Sequence, residues 1–355
     1  HQKPMIPFFR KIRKTLADDN KPLKYFRYAI GEIVLVMVGI LLALQVSNWN
    51  EKRKQDANFD KLIDALENEI IENIHEANHE IDWARTIQMN SSKIQLNQIS
   101  REEFLKEPNL RSVIDLNRLD INSDDISSLV KRQEDFPEAY KVLIPHLKNY
   151  LKIEDRYQKQ EIEYGTQVEG YLDFLIKTQP WYASSIQVLD SIAINKQVDF
   201  YLENPVFKNY LASYNEGYRY LLREMIGIRS SCLVILAEIK RIRENFEDDD
   251  IKALFEQYHI LPYSKQDCDD IKVSMSDFNE PPTYLPLINF SDEIINIQWH
   301  DFSSNLNQNI QLKPGELRIN PVSKRLHGDA LIDIIFNGEC ATKYQAKRNG
   351  YLLIQ

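Results

Sequence analysis

The feature that most constrains this chain is an unbroken run of twelve apolar residues, IVLVMVGILLAL, at positions 33–44. With its flanks, the segment from Tyr28 to Trp49 would rise about 30 Å as an α-helix, close to the thickness of a bilayer's hydrocarbon core. Tyr25, Tyr28 and Trp49 stand where interfacial aromatic residues belong. The sequence therefore predicts a transmembrane anchor over residues 29–49.

The charges on either side of this segment predict its orientation. Residues 1–28 carry eight Lys or Arg against two acids, although the whole chain has a formal net charge of −9. The positive-inside bias places this basic tail in the cytoplasm and the bulk of the chain in the periplasm, held at the inner (cytoplasmic) membrane. Within the tail, residues 5–14 have the spacing of an amphipathic helix lying on anionic lipid. A cleaved signal peptide is the alternative, although residues 43–49 make a poor cleavage site.

Four residues of the anchor are candidates for contacts between membrane helices. Gly31, Gly39 and Ala43 lie on one helical face at spacings of four or eight. Such a small-residue stripe lets a second helix approach closely, so it predicts self-association. Glu32 lies about one turn inside the membrane, where an ionisable group indicates a function. The interpretation that we favour is instead a carboxylate at the headgroup boundary that pairs with Lys24, Arg27 or Tyr28.

Composition excludes some partners and some site classes. Residues 51–355 hold 50 acids against 36 Lys or Arg. Because phosphate binding needs clustered cations, we expect no nucleic-acid partner. The three cysteines are too few for a disulfide framework and too scattered for a zinc ribbon. Cys232 lies in an apolar helical run and is predicted to be a buried thiol, whereas Cys268 and Cys340 could form a disulfide in an extracytoplasmic compartment.

Residues 50–265 are predicted to form a helical stalk and an antiparallel bundle. Neither glycine nor proline interrupts residues 40–107, and apolar residues recur at three-and-four spacings typical of an amphipathic or coiled-coil helix. The stripe comprises Phe59, Ile63, Leu66, Ile70, Ile74, Ala77, Ile81 and Ala84. The stalk is expected to end near residue 98. Later helix starts are predicted at Ser100-x-x-Glu103, at Asn122-Ser123-Asp124, at Pro137 and at Pro205.

Two of these later helices are predicted to be long. One would run from Pro137 to about Thr178, kinked at Pro145, and the other from Pro205 to Phe246, ending in the acidic cluster EDDD. Together with the stalk they would make three helices with shared apolar faces, which is the pattern of a bundle.

The last part of the chain, residues 266–355, changes pattern and predicts a small β-sandwich module. Residues 279–286, NEPPTYLP, are typical of a linker. Short period-two runs follow, separated by the turn signals Pro314-Gly315, Asn337-Gly338 and Asn349-Gly350. The predicted strands are residues 295–299, 310–312, 317–319, 330–334 and 350–354. The fold class is thus mainly α, with a C-terminal β module.

One metal motif lies on the stalk. His75-Glu76-Ala77-Asn78-His79 matches H-E-x-x-H, in which two histidines one turn apart bind zinc and the glutamate acts as a general base. Such a site also needs a third ligand and an open coordination position. On a helical wheel, His75 and His79 face away from the Ile70/Ile74 stripe, and no downstream motif places a third ligand. We therefore expect a solvated helix face and no metal site, with His75 and His79 as the only candidates.

Two resemblances accompany these patterns. Residues 8–16 and the run KYFRYAIGEIVLVMVGILLALQVSNWNEKRK resemble the opening of an uncharacterised family of single-pass membrane proteins from Bacteroidota. That resemblance implies an anchor and no activity. The order INFS, INIQWHDF, LKPGE, with Asn289, Trp299 and the turn Leu312–Gly315, resembles the β domain of the von Hippel–Lindau protein, which implies a peptide-binding module. The turn after Trp299 departs from that pattern because it has no glycine.

These observations favour a non-enzymatic, membrane-anchored envelope protein that serves as a protein-interaction scaffold. No Walker loop, dinucleotide-binding glycine pattern or nucleophile elbow is present in the sequence, so no cofactor is expected. The expected partners are the lipid bilayer and another protein or a second copy of the chain. Two alternatives stay open: a zinc-dependent hydrolase built on His75, Glu76 and His79, and a ligand-sensing bundle that signals through the anchor.

Overall fold

The chain divides into two compact units, His1–Lys61 and Leu62–Gln355. The structure is a computed structural model, and it describes residues 22–107, 110, 113–114, 118–183, 191–268, 285–289, 291, 293–300, 306–320, 331–336, 339–345 and 350–354. The predicted amphipathic helix at residues 5–14 and most of the predicted linker at 279–286 lie outside these residues.

The described helices include one at or near each predicted start and two that the sequence pattern does not predict, at Ser191–Glu203 and Asp248–Gln257. They are α1 (Pro22–Gln95), α2 (Arg101–Lys106), α3 (Asp124–Lys131), α4 (Leu143–Thr178), α5 (Ser191–Glu203), α6 (Pro205–Glu244) and α7 (Asp248–Gln257), with two 3₁₀ turns at Gln133–Asp135 and Glu138–Tyr140. Among the described residues the fold is therefore mainly helical, as predicted.

The first unit contains the N-terminal part of α1, whose apolar surface has no protein cover. Every side chain from Ile33 to Trp49 is exposed. Of the described residues, only this helix is long and apolar enough to cross a membrane. Because exposed apolar surface of this extent is unfavourable in water, the segment fits either a membrane anchor or a signal sequence.

The second unit is built on a bundle of three helices: the rest of α1, α4 and α6. Contacts between α1 and α6 run in opposite directions along the two helices. Lys240 Nζ lies 2.7 Å from Glu67 Oε1, and Asn215 donates to Gln95 at 3.2 Å. The Tyr164 ring packs on Tyr214 with centroids 5.2 Å apart, and Tyr171, later in α4, packs on Tyr210, earlier in α6, at 5.3 Å. The helix α4 is therefore also antiparallel to α6.

From Ile63 to Ala84, the predicted apolar stripe of α1 forms the core of this bundle. These seven residues have no exposed surface at all, and Phe59, in the first unit, is buried as well. The three-and-four spacing of the seven keeps one face of α1 against its neighbours over about six turns. A second core cluster beyond the stripe is rich in aromatic residues, among them Phe104, Tyr171, Trp181, Tyr201 and Phe207.

Capping bonds mark the starts of α2, α6 and α7. The predicted capping box at α2 is confirmed, since the Ser100 side chain accepts from the Glu103 N–H and the Glu103 carboxylate accepts from the Ser100 N–H. α4 begins only at Leu143, so Pro145 lies in its first turn, where a missing N–H costs no helical hydrogen bond, and α4 continues without interruption to Thr178. A proline at this position does not interrupt the helix, so the kink expected at Pro145 is not required.

The acidic cluster after α6 has a different role from the predicted one. α6 ends at Glu244, and Asn245 adopts the left-handed conformation (φ 56°) that commonly terminates helices. The acids Asp248, Asp249 and Asp250 form the first turn of a further helix, α7. Acidic side chains are favourable there because the N-terminus of a helix carries partial positive charge.

The described strands form two small sheets. The strands are β1 (Leu261–Pro262), β2 (Ser264–Gln266), β3 (Leu285–Asn289), β4 (Ile295–His300), β5 (Leu306–Leu312), β6 (Leu317–Asn320), β7 (Leu331–Phe336), β8 (Glu339–Gln345) and β9 (Gly350–Ile354). One sheet has the order β1-β9-β3-β6, and the other has the order β2-β8-β7-β4-β5.

The five predicted strands are present as β4, β5, β6, β7 and β9, whereas β1, β2, β3 and β8 were not predicted. β1 and β2 precede the predicted module boundary at residue 266, yet they pair with β9 and β8. The sheets therefore begin at Leu261. β3 also includes Leu285 and Pro286, which the sequence pattern assigns to a linker.

Candidate functional site

The residues of the H-E-x-x-H motif lie on the outer face of α1. His75 and His79 are exposed, and Glu76 is half-buried. The His75 ring packs against Tyr258 with ring centroids 5.4 Å apart, while His79 Nδ1 lies 2.9 Å from Glu80 Oε1. In the part of the chain that the structure describes, no group of three or more His, Cys, Asp or Glu side chains could hold a metal.

The other predicted site residues are dispersed. Gly31 and Gly39 have no atom within 4 Å of where a Cβ would stand, and Ala43 is exposed on the same helix. Glu32 is half-buried. Cys232 is a buried free thiol, and burial raises its pKa well above the usual value. Cys268 is disulfide-bonded, and its predicted pairing with Cys340 of β8 stays a prediction.

A cleft in the second unit is the best-formed candidate site. It has a volume of about 660 Å³, which is within the range of ligand pockets. Four parts of the chain line it: the first turns of α4, the C-terminal part of α6, the turn that joins β5 to β6, and Ser291 between β3 and β4. A second lobe of about 220 Å³ lies beside it, since Asn149 and Leu317 line both spaces.

Asn289 fixes the turn that forms one wall of the cleft. It is fully buried at the end of β3, and its side-chain amide donates to the Leu312 carbonyl at 3.1 Å. Its backbone carbonyl accepts from the Gly315 N–H at 2.8 Å. Gly315 has φ +69°, a left-handed conformation that glycine adopts without steric cost. The wall is therefore held by a buried polar anchor and a glycine turn.

His146 lies where α4 meets this turn. It is only 6% exposed, and a Cβ on Gly315 would stand 3.7 Å from its Cε1 atom. Burial lowers the pKa of His146 from 6.5 to about 4, because the charged form loses its hydration. The imidazole is thus neutral at pH 7, and it presents one donor and one acceptor nitrogen.

Glu238 on α6 is the second buried titratable group that lines the cleft. It is 8% exposed, and burial raises the pKa of its carboxyl group. Arg241 counters this effect in part, with Nη1 lying 3.4 Å from Glu238 Oε1, and it also reaches Asp248 at 3.0 Å. The cleft therefore combines perturbed titratable groups, which is a feature that binding and catalytic sites share.

Charged side chains continue along the second lobe. Arg156 on α4 lies 3.0 Å from the buried Glu224 carboxylate of α6, and Arg223 lies against the same carboxylate at 2.5 Å. Arg318 on β6 pairs with Glu316 at 3.1 Å. These ion pairs hold the side chains of Arg156, Arg223 and Arg318 in place.

The sequence pattern predicts the turn at Leu312–Gly315 that lines the cleft, but it predicts neither the cleft nor the part that α4 and α6 take in it. The run Leu312–Gly315 stood out as a turn signal, and Asn289 as the start of a pattern. His146 and Glu238 carried no motif, because each belongs to an ordinary amphipathic helix. Their proximity depends on the packing of α4 and α6 against a turn about 75 to 170 residues further along the chain.

Comparison with known proteins finds no relative of this chain. No protein-family model, curated protein or solved structure matches the chain.

Proposed function

We propose that this chain is a single-pass, membrane-anchored scaffold whose second unit binds another protein. One observation carries the proposal: the fully exposed apolar segment of α1 and the buried stripe of the bundle belong to one uninterrupted helix. A helix of this kind tethers a folded unit close to the bilayer. The cleft beside His146 is the contact site that its geometry favours.

The proposed location is the inner membrane, with the basic N-terminal tail in the cytoplasm and the second unit in the periplasm. The cation bias before the apolar run supports this orientation. A disulfide at Cys268 fits the same compartment, because structural disulfides persist in oxidising surroundings. The resemblance of the first 50 or so residues to single-pass proteins also supports an uncleaved anchor. We further propose that the two sheets pack as a β-sandwich.

The two alternatives have weaker support. For a zinc hydrolase, His75 and His79 are exposed, and the described residues supply no third ligand. Zinc analysis of the H75A/E76Q double variant tests it, because unchanged zinc content and phenotype would remove this hypothesis. A ligand-sensing bundle needs a pocket within the helices, whereas the cleft lies between α4, α6 and the β5–β6 turn.

Cross-linking in native membranes, followed by purification in mild detergent and mass spectrometry, tests the scaffold. We expect a stoichiometric protein partner cross-linked to residues of the second unit. In parallel, a cysteine-labelling reagent that cannot cross membranes should modify a cysteine introduced at exposed Asp155 in intact spheroplasts. Recovery of only the monomer, or labelling only after lysis, would contradict the proposal.

A further inference from the structure

The cleft and its second lobe share the lining residues Asn149 and Leu317, and the two together are called the groove below. On its α4 side, the groove is lined by residues between Val142, the residue before α4, and Arg156. At the rise of an α-helix this stretch is about 21 Å long. An extended chain advances about 3.3 Å per residue, so about six peptide residues would fill it. The groove thus has the dimensions of a site for a short extended segment.

The groove is cationic, although the chain as a whole carries a net charge of −9. Three carboxylates line it, those of Glu224, Glu238 and Glu316. Six cations line it: Lys152, Arg156, Arg223, Arg241, Lys313 and Arg318. A local excess of positive charge in an acidic protein attracts anionic partners and steers their approach.

Two of these cations are available to a partner. Lys152 and Lys313 are exposed on opposite walls, and neither forms an ion pair with any residue in the described ranges. The arginines are instead held by the groove's own carboxylates, as at Arg156–Glu224 and Arg318–Glu316. The lysines therefore supply the unneutralised charge.

Apolar side chains lie between the charged ones. Val142 and Pro145 of α4 line the groove together with Pro314 and Leu317 from the other wall. A peptide backbone can lie against such a surface while its acidic side chains reach the lysines. His146, buried beside Gly315, adds a neutral hydrogen-bonding group to the same surface.

We propose that the groove binds an acidic, extended peptide segment of the partner protein, with Lys152 and Lys313 pairing with its carboxylates. This inference rests on the proposed scaffold function and specifies the chemistry of its partner. The charge complementarity of the two free lysines and the six-residue length of the groove carry it.

A length series of fluorescein-labelled oligoglutamates tests this directly, with the full chain in a neutral detergent and fluorescence anisotropy as the measurement. We expect saturable binding that tightens from two to about six residues, levels off beyond that length, and weakens as salt is added. If inorganic phosphate or diglutamate competes as well as octaglutamate, the groove is a small-anion site and the peptide proposal is wrong.

Variants of exposed lysines separate this site from general charge effects. K152E/K313E should weaken octaglutamate binding at least about tenfold. K148E, one turn from Lys152 on α4 but outside the groove, should change it less than about twofold. Equal losses in both variants would overturn the proposal. If K152E/K313E still captures the cross-linked partner as well as the parent chain, the groove proposal fails while the scaffold proposal stands. If the parent chain captures no partner at all, it is the scaffold proposal that is wrong.

Discussion

At the scale of single residues, His146 makes stability depend on pH. Its pKa falls from 6.5 to about 4 on folding, so between these values the unfolded chain binds a proton that the folded chain does not. Stability is therefore complete above pH 6.5 and declines as the pH falls, by about 3 kcal/mol at pH 4. Thermal unfolding followed by circular dichroism across this range measures the decline.

Two glutamine variants separate the effect of His146 on stability from that of an exposed histidine. We expect H146Q to flatten the decline between pH 6.5 and 4, whereas H79Q, at an exposed histidine of α1, should leave it as in the parent chain. Glu238 has the opposite effect on stability. Because folding raises the pKa of its carboxyl group, this group destabilises the fold as the pH rises through the folded-state pKa. A pH profile of H146Q identical to that of the parent would show that the imidazole is not buried as described.

At the scale of elements, α3 depends on a cap that comes from another helix. Its own N-cap, Ser123, makes no side-chain capping bond. Glu69 of α1 accepts instead from the Asp125 N–H at 2.9 Å and from the Ile126 N–H at 3.1 Å. This places a carboxylate at the positive end of α3 and holds the helix against the bundle.

Removal of this cap should therefore be costly. We expect E69A to lower the free energy of unfolding by about 2 kcal/mol, because the buried N–H of Ile126 and the partly buried N–H of Asp125 lose their acceptor. Glu72 is exposed on the same helix, and E72A should change stability by less than about 0.5 kcal/mol. Denaturant titration of both variants gives the comparison, and equal effects would argue against the cap.

The elements also differ in whether neighbouring residues alone are enough to predict them. The stripe from Phe59 to Ala84 repeats every three or four residues, so α1 could be predicted from neighbouring positions alone. β1 is two residues long and pairs in parallel with β9, from Leu261 to Gly350. No local period signals such a strand, because its partner lies far along the chain. The His146–Gly315 contact in the cleft was hidden for the same reason.

At the scale of the whole molecule, the cysteines differ in state. Cys268 is bonded and Cys232 is free. We predict that Cys268 pairs with Cys340, which would close a loop of roughly 70 residues, and that C268S lowers stability by about 4 kcal/mol. Peptide mapping without reductant should recover the linked peptides, with Cys232 alkylated only after unfolding. A peptide that links Cys268 to Cys232 would contradict the pairing.

The division of the chain into two units predicts which truncated fragment should fold by itself. The second unit starts at Leu62, and the buried stripe starts at Phe59, so residues 57–355 retain the whole stripe without the exposed apolar segment. We expect this fragment to be soluble without detergent and to unfold cooperatively, because the surface it loses contributes nothing to the described core. Size-exclusion chromatography and thermal unfolding measure both properties.

A fragment of residues 75–355 provides the matched control. It also lacks the apolar segment, but it loses Ile63, Leu66, Ile70 and Ile74, which have no exposed surface in the fold. Burying four such side chains contributes about 10 kcal/mol, comparable with the whole stability of a typical domain. This fragment should therefore aggregate or remain unfolded. If both fragments fold equally well, the stripe of α1 is dispensable for folding, and the bundle would not depend on this part of the helix.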